Sequence, residues 1–578
     1  MTKANHIQRG NFPKNHFKKR LLFLLSIALI TAGCSTEPKG KNLIEDRPNI
    51  IVIMADDLGF SDLGCYGGEI KTPNLDLLAA KGMRFNQFYN ASRCCPSRAS
   101  LLTGLYPHQA GIGRMTMDES KPGYRGFLTE NTVTVAEVLK QAGYNTGMTG
   151  KWHISETRKL EPAKQLKWLG HQENYGPFSD TAQYPVGRGF DKYFGNIWGV
   201  VDYFDPFSLV NGKEQVMSVP DNYYYTDAIS DTAVAYVEQF SKDKKPFFLY
   251  VAHTAPHWPI QALPEDVAKY EDVYKDGWEA IRKKRYEKMI ALGLFDSTSA
   301  PLSPWMFPEK NWSDNKDAAW DSHAMAVHAA MVDRMDQGIG RLINKLREVK
   351  ALDNTLILFL SDNGASYEDP AKYGPGFDRA GTTRDGRNVV FPLVKSNENM
   401  PGTQTVHAGI GPQWAHTANT PFRYYKSKIF EGGICTPMIA HWPNGIRQEN
   451  VITNEMGHVV DFMATCTELA NAEYPSEFKG RKITPQQGQS LLPVFTRGER
   501  QDPEFIFWEH FGSKGLRQGK WKLVQLGNDT KWQLFDMEKD RTETNDLSDQ
   551  YPDVVSRMKI KWEETANGTQ VYPLPDTN

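Results

Sequence analysis

Three stretches of the chain hold residue types whose chemistry makes sense only in combination. Cys94-Cys95-Pro96-Ser97-Arg98 stands just before the apolar pair Leu101-Leu102. Pro96 suits the first turn of a helix, where its missing N–H leaves nothing unsatisfied. The free backbone N–H groups of that turn favour an anion or a low-pKa nucleophile. A cysteine pair alone would be read as two small buried hydrophobes; in this setting it predicts a reactive group at a helix entrance. Asp56-Asp57 closes an apolar run over residues 48–55, and Asp362-Asn363 follows a second such run over 355–360. Adjacent carboxylates repel, so a cation is their natural complement. Asp56, Asp57, Asp362 and the Asn363 carbonyl are hard oxygen donors, suited to Ca2+ or Mg2+ and not to Zn2+.

Such groups need a frame that brings them together. The two runs, rich in Ile, Val, Leu and Phe, read as strands buried on both faces of a parallel sheet. Open α/β sheets place ligands at the carboxyl ends of their strands, where both acidic pairs fall. Residues 144–148 and 246–252 read as further strands, leading to Lys151 and to His253 and His257. Residues 131–142 form a helix ending at Gly143, and residues 324–349 a second, in which Val327, Met331, Met335, Ile339, Leu342 and Leu346 recur at spacings of three and four. Residues 260–320 carry helical insertions. Residues 365–427, rich in Gly, Pro, Asn and Thr, form an insertion whose length points to a role in the substrate pocket. After a polar stretch over 475–500, residues 515–524 and 532–536 read as antiparallel strands and 551–564 as a helix.

The segment Cys94-x-Pro96-Ser97-Arg98-x-x-Leu101-Leu102-Thr103-Gly104 closely resembles the signature of type I sulfatases of the alkaline-phosphatase-like superfamily. Further motifs follow in that family's order: Gly150-Lys151-Trp152-His153, the Gly187-Arg188-Gly189-Phe190 segment, Ala255-Pro256-His257-Trp258-Pro259, and Lys426 placed five residues before Glu431-Gly432-Gly433. The resemblance covers nearly everything after residue 47. It implies an α/β fold with a large mixed, mostly parallel sheet sandwiched by helices and a smaller C-terminal antiparallel sheet with one helix. It further implies that Cys94, not Cys95, is oxidised to formylglycine, and that residue 94 joins Asp56, Asp57, Asp362 and Asn363 around the metal. Lys151, His257 and Lys426 would bind the sulfate, with Lys428 the runner-up to Lys426. Arg98 would orient the hydrated aldehyde, His153 would touch its hydroxyl, and His257 would protonate the leaving group, leaving His253 a packed or hydrogen-bonded neighbour and Arg423 structural. The expected reaction is hydrolysis of an aryl or carbohydrate sulfate. A phosphoesterase or phosphonate monoester hydrolase of the same superfamily is the alternative, and a lipoprotein that binds sulfated glycans without cleaving them is a second.

The composition leaves room for this reading. Lys and Arg total 67 against 69 Asp and Glu, so no global field argues for nucleic acid or an anionic membrane, and any anion site must be local. The N-terminus sets Lys18, Lys19 and Arg20 before an apolar run over 21–30, then Thr31-Ala32-Gly33-Cys34: a signal peptide over 1–33, with Cys34 resembling the lipidated residue of a bacterial lipoprotein and ordinary cleavage nearby as the alternative. A tether over 34–46, a catalytic domain over 47–490 and a C-terminal subdomain over 491–578 complete the expected organisation. Export to the periplasm or cell surface of a bacterium follows, with a membrane link only through the lipid, and formylglycine requires a separate maturation enzyme. The six cysteines show neither disulfide-scaffold nor zinc-site spacing, and no pairing among Cys65, Cys95, Cys435 and Cys466 is assigned.

Overall fold

Strand β1 (Asn49–Ala55) runs through the middle of an eleven-stranded sheet and shows why the chain folds as it does. Its alternate side chains feed two separate cores: Ile51, Ile53 and Ala55 on one face, Ile50, Val52 and Met54 on the other. Each fully buried side chain of this kind contributes about 1.5–3 kcal/mol. The remaining strands are β2 (Met83–Tyr89), β3 (Asn145–Gly150), β4 (Lys192–Asn196), β5 (Leu209–Asn211), β6 (Glu214–Gln215), β7 (Phe247–Ala252), β8 (Thr355–Ser361), β9 (Cys435–His441), β10 (Val451–Thr453) and β11 (Gly457–His458). Their order is β10-β2-β9-β8-β1-β7-β3-β4-β5-β6, with β11 also on β2. The central run β8-β1-β7-β3-β4 is parallel, whereas β9 is antiparallel to both its neighbours. The computed structural model describes residues 47–527 and 529–575, so the expected signal peptide, Cys34 and the tether lie outside the described residues.

Helices cover both faces. The helix Ala318–Glu348 begins six residues before the expected start and lays Val327, Met331, Met335, Ile339, Leu342 and Leu346 into one core, beside the helix Tyr225–Phe240. On the other face lie Cys94–Thr103, Val135–Gln141 and Asp461–Leu469. Thr134 caps Val135–Gln141 through a capping box with Glu137. The short helix Leu492–Arg497 also packs into the large core, through Leu492, Val494 and Phe495.

A second sheet then follows: β14 (Ile506–His510), β15 (Ser513–Gln518), β16 (Trp521–Gln525) and β17 (Gln533–Asp536), all antiparallel, after the small hairpin β12 (Glu477–Phe478) and β13 (Arg481–Lys482). The helix Pro552–Gly568 packs on it through Met558, Trp562 and Ala566. Among the described residues no helix is long and apolar enough to cross a membrane. Cys65, Cys94, Cys95, Cys435 and Cys466 are all buried free thiols.

Candidate active site

Strand register assembles the site. Ala55 pairs with Ser361, Met54 with Ala252, and Ala252 with Gly150. The next residues, Asp56, Asp362, His253 and Lys151, therefore leave adjacent strands at the same carboxyl edge. Strand β9 runs the opposite way, so the segment before it, with Lys426 and Glu431-Gly432-Gly433, reaches that edge as well. Cys94 opens the helix Cys94–Thr103, every residue of which is buried. Gly364 must be glycine: a Cβ there would sit 1.9 Å from the Gly432 carbonyl oxygen, the close approach that clamps the Asn363 turn onto the Lys426 segment.

All ten residues expected at the site converge, none more than 6% exposed. Donor atoms of Asp56, Asp57, Cys94 and His257 lie within 4.8 Å of one another. Lys151 donates to Asp56 Oδ2. Lys426 Nζ lies 2.9 Å from Asp57 Oδ1 and donates to Oδ2 at 3.0 Å. Arg98 donates through Nε and Nη2 to Asp362 Oδ2, at 2.9 and 2.7 Å, and through Nη1 to the Lys151 carbonyl at 2.9 Å. Asp57 adopts φ 66°, a conformation rare outside glycine and typical of functional turns.

Burial alone would raise the carboxyl of Asp56, but the surrounding cations, Lys151 first and then His257, Arg98 and Lys426, together hold Asp56 well below the usual range. Asp362 goes the other way: burial and the neighbouring Asp56 carboxylate push it up to about 7, against the pull of Arg98. Burial would lower Lys151 and Lys426, but the negative groups around them, Asp56 foremost for Lys151 and Asp57 with Glu368 for Lys426, together hold both above their ordinary value. Burial pushes the Cys94 thiol well up, with Lys426 opposing, so the unmodified cysteine is a poor thiolate in this setting.

The two histidines differ in placement. His257 Nδ1 lies 2.5 Å from the Trp258 carbonyl, which fixes its proton there and turns Nε2 toward Asp57 Oδ2 at 3.5 Å. Burial lowers its pKa to about 4, with Asp57 opposing. His153, at φ 55°, sets Nε2 3.3 Å from Cys95 Sγ, while its Nδ1 makes no hydrogen bond. Burial, then Lys151 and Arg98, hold its ring well below the ordinary value and therefore neutral. His253 is fully buried and, among the described residues, its ring nitrogens make no hydrogen bond, and Arg423 donates to the Glu543 carbonyl at 2.6 Å.

One residue of the site has no counterpart in the sequence reading. Glu368 pairs with Lys426 at 2.8 Å and Arg93 at 2.9 Å, and accepts from Trp258 Nε1 at 3.1 Å. Burial would raise its carboxyl, but Lys426 and Arg93 hold it well below its ordinary value. Its only signal in the sequence was its position in the long insertion over 365–427.

The donor set fits a hard divalent cation. Among the described residues, Asp56 Oδ1 and Asn363 Oδ1 are buried acceptors with no hydrogen-bond partner. Asn363 donates its amide to Asp57 Oδ1 at 2.6 Å, so its own oxygen is left to accept. Orphaned oxygens beside crowded carboxylates are costly unless a cation meets them.

A carboxylate-edged, mostly parallel sheet gathering a helix-opening cysteine, paired lysines and a histidine is the layout of a hydrolase of anionic esters on the alkaline-phosphatase-like plan. Comparison with known proteins narrows the class. The sulfatase family model matches residues 48–472, and the C-terminal model of N-sulphoglucosamine sulphohydrolase matches residues 422–568. An uncharacterized sulfatase of Schizosaccharomyces pombe is 32% identical over 559 residues, covering 92% of this chain and 95% of that protein. An arylsulfatase of Klebsiella aerogenes is 32% identical over 463 residues, covering 78% and 92%. The crystal structure of Ps i-CgsB in complex with k-i-k-neocarrahexaose superimposes with a TM-score of 0.62 at 26% identity, covering 92% of this chain and 95% of that one. The chain belongs to the sulfatase family and is a sulfuric ester hydrolase.

Proposed function

We propose that this sulfatase cleaves aryl or carbohydrate sulfates using formylglycine, derived from Cys94, and one divalent cation, Ca2+ or Mg2+. The observation that carries the reading is the meeting of Cys94 with Asp56, Asp57 and His257 within 4.8 Å, flanked by Lys151 and Lys426. Cys94 Sγ marks where the oxygens of the modified residue would stand. Oxidised and hydrated, residue 94 supplies a geminal diol: one hydroxyl to attack sulfur, and a second whose deprotonation allows release by carbon–oxygen cleavage. That second route is what a serine or cysteine in its place would lack. The cation, held by Asp56, Asp57, Asp362 and Asn363, would neutralise a sulfuryl oxygen and lower the pKa of a hydroxyl of residue 94.

The chain's own residues do the rest. Lys151 and Lys426 balance the charge on the sulfuryl oxygens as it redistributes. The Trp258 carbonyl holds the Nδ1 proton of His257, so Nε2 is the position from which a proton passes to the departing alcohol. An anionic ester beside Nε2 favours the imidazolium that burial alone disfavours. His153, neutral in its buried place, accepts the proton of the second hydroxyl, and Arg98, anchored on Asp362, orients the diol.

The named activities of relatives support both substrate classes: the Klebsiella aerogenes protein is an arylsulfatase, and the N-acetylgalactosamine-6-sulfatase of Canis lupus familiaris is 26% identical over 530 residues. The same reading carries a formylglycine-generating maturation enzyme, bacterial export and lipidation of Cys34. The test compares matched aryl sulfate and aryl phosphate esters in wild type and Cys94→Ala. Sulfate release that Cys94→Ala abolishes supports the proposal; preferred phosphate turnover, or full activity in the variant, overturns it.

A further inference from the structure

A cleft of about 710 Å³ opens between the catalytic edge of the large sheet and the turn joining β14 to β15. Its size falls in the range of ligand sites, roughly 300–1,000 Å³. The inner end belongs to the reaction site: Arg93 immediately precedes Cys94, and Glu368 holds Lys426. These two groups neutralise each other: Arg93 donates to Glu368 at 2.9 Å and to Ser427 Oγ at 2.6 Å, although its buried Nε makes no hydrogen bond among the described residues. They offer little spare charge to a ligand.

Farther out, the lining is differently equipped. Lys428 is half-buried on the cleft wall, and among the described residues its ammonium has neither an ion pair nor a hydrogen bond. His510 is 1% exposed; one side of its ring faces the Gly113 backbone, yet neither nitrogen reaches a hydrogen bond of good geometry. A partly desolvated cation is unfavourable unless a ligand completes it; the His510 ring, buried like that of His253, serves as packing. Two aromatic rings are half-exposed on the same cleft, Tyr373 at 50% and Phe511 at 49%, each backed by a guanidinium, Arg379 at 5.4 Å and Arg114 at 5.2 Å. Tyr373 lies 6.2 Å from Trp258, which in turn lies 4.9 Å from His257, so the rings form a path outward from the leaving-group side of the site. Phe511 is held at φ 47° in the β14–β15 turn, fixing its ring at the opposite rim. The remaining acid on the rim, Asp529, is exposed to water.

Exposed ring faces interleaved with hydrogen-bonding groups suit the alternating apolar and hydroxylated surfaces of a sugar. A lone ammonium suits an anion. We propose that this cleft is the leaving-group subsite for a saccharide bearing a second anionic group, a carboxylate or another sulfate, which pairs with Lys428 while Tyr373 and Phe511 take ring faces, with the buried His510 ring backing Phe511. The inference rests on the sulfatase reading above and narrows its substrate class.

The experiment measures sulfate release by the matured enzyme from three sulfated disaccharides that differ only in the neighbouring ring: neutral, carboxylated, or carrying a second sulfate. A small aryl sulfate serves as reference. At least one of the charged disaccharides should exceed the neutral one in kcat/KM by on the order of tenfold, the worth of one charge-assisted contact at a half-buried site. Whichever charged arm wins identifies the anion. In Lys428→Gln that preference should collapse, mainly through KM, and Phe511→Ala should raise KM for all three disaccharides. Equal kcat/KM across the three, or a preference that survives Lys428→Gln, overturns the subsite. So does turnover of the aryl sulfate alone, while leaving the sulfatase reading intact. Absence of sulfate release from every substrate overturns both.

Discussion

Asn363 donates its side-chain amide to Asp57 Oδ1 at 2.6 Å, joining two residues 306 positions apart at the ends of neighbouring parallel strands. This bond decides which oxygens remain available: Asn363 Oδ1 and Asp56 Oδ1 are buried and unpaired. A divalent cation should therefore stabilise the folded protein whether or not residue 94 is oxidised. At 100 times its Kd, a cation that binds only the folded state adds about 2.7 kcal/mol. Thermal unfolding with and without Ca2+ or Mg2+ should show a rise in Tm for wild type and none for Asp57→Asn. Identical curves with and without either cation would contradict the site.

Glu368 is the residue that holds Lys426 against the reaction centre. Glu368→Gln keeps the shape but removes the charge that pairs with Lys426 and Arg93. Misplacement of a positioned group by about 1 Å costs on the order of 100-fold, so kcat/KM for an aryl sulfate should fall by about that factor with the unfolding midpoint little changed. Wild-type kinetics in this variant would remove Glu368 from the account.

The small sheet is fastened to the catalytic segment by a fully buried charge cluster. Lys522 on β16 lies 2.7 Å from both Glu431 and Glu543, and Arg541 lies 2.8 Å from Glu431. Removing one member leaves uncompensated buried carboxylates, which costs about 3–5 kcal/mol. Lys522→Ala should lower the urea midpoint by a corresponding amount and also reduce activity, because Glu431 starts the turn that follows Lys426. A hydrophobic replacement of all four residues should recover much of the stability. A loss below about 1 kcal/mol in Lys522→Ala would mean that the cluster is not what fastens the sheet.

Acid sensitivity should originate partly at Arg285, which lies 2.7 Å from both Asp62 and Glu69. Burial would raise these carboxyls; Arg285 reverses this and holds both below their ordinary values of 3.8 and 4.5. A depressed folded pKa means stability that is present above the unfolded value and lost as pH falls through the folded one. Unfolding free energy should thus decline as pH drops below about 4.5. Arg285→Leu, already less stable at neutral pH, should show a shallower decline over the same window. An unchanged slope in that variant would place the acid sensitivity elsewhere.

Much of this architecture was legible because the signals were local. The continuous apolar runs of β1 and β8 marked strands buried on both faces, and each ended in the acidic residues that the register sets side by side. The heptad-like stripe from Val327 to Leu346 marked the long helix, although its first turn, containing Trp320, carried no periodicity. Three features were not legible. The antiparallel direction of β9 depends on how the chain returns to the sheet, and its own sequence does not encode this. Glu368 acquires its role by meeting Arg93, 275 residues earlier, within an insertion that has no regular pattern. His153 was legible as a residue of the site, but its approach to Cys95 Sγ was not.

Everything rests on the chemical state of residue 94, and mass spectrometry of the tryptic fragment containing it, from protein matured in an export-competent bacterial host with a formylglycine-generating enzyme, measures that state directly. The account predicts the mass loss of cysteine-to-aldehyde conversion at residue 94 alone, with Cys95 unmodified, and sulfate-releasing activity in proportion to the converted fraction. Full activity in a preparation whose residue 94 is entirely unmodified cysteine would contradict it.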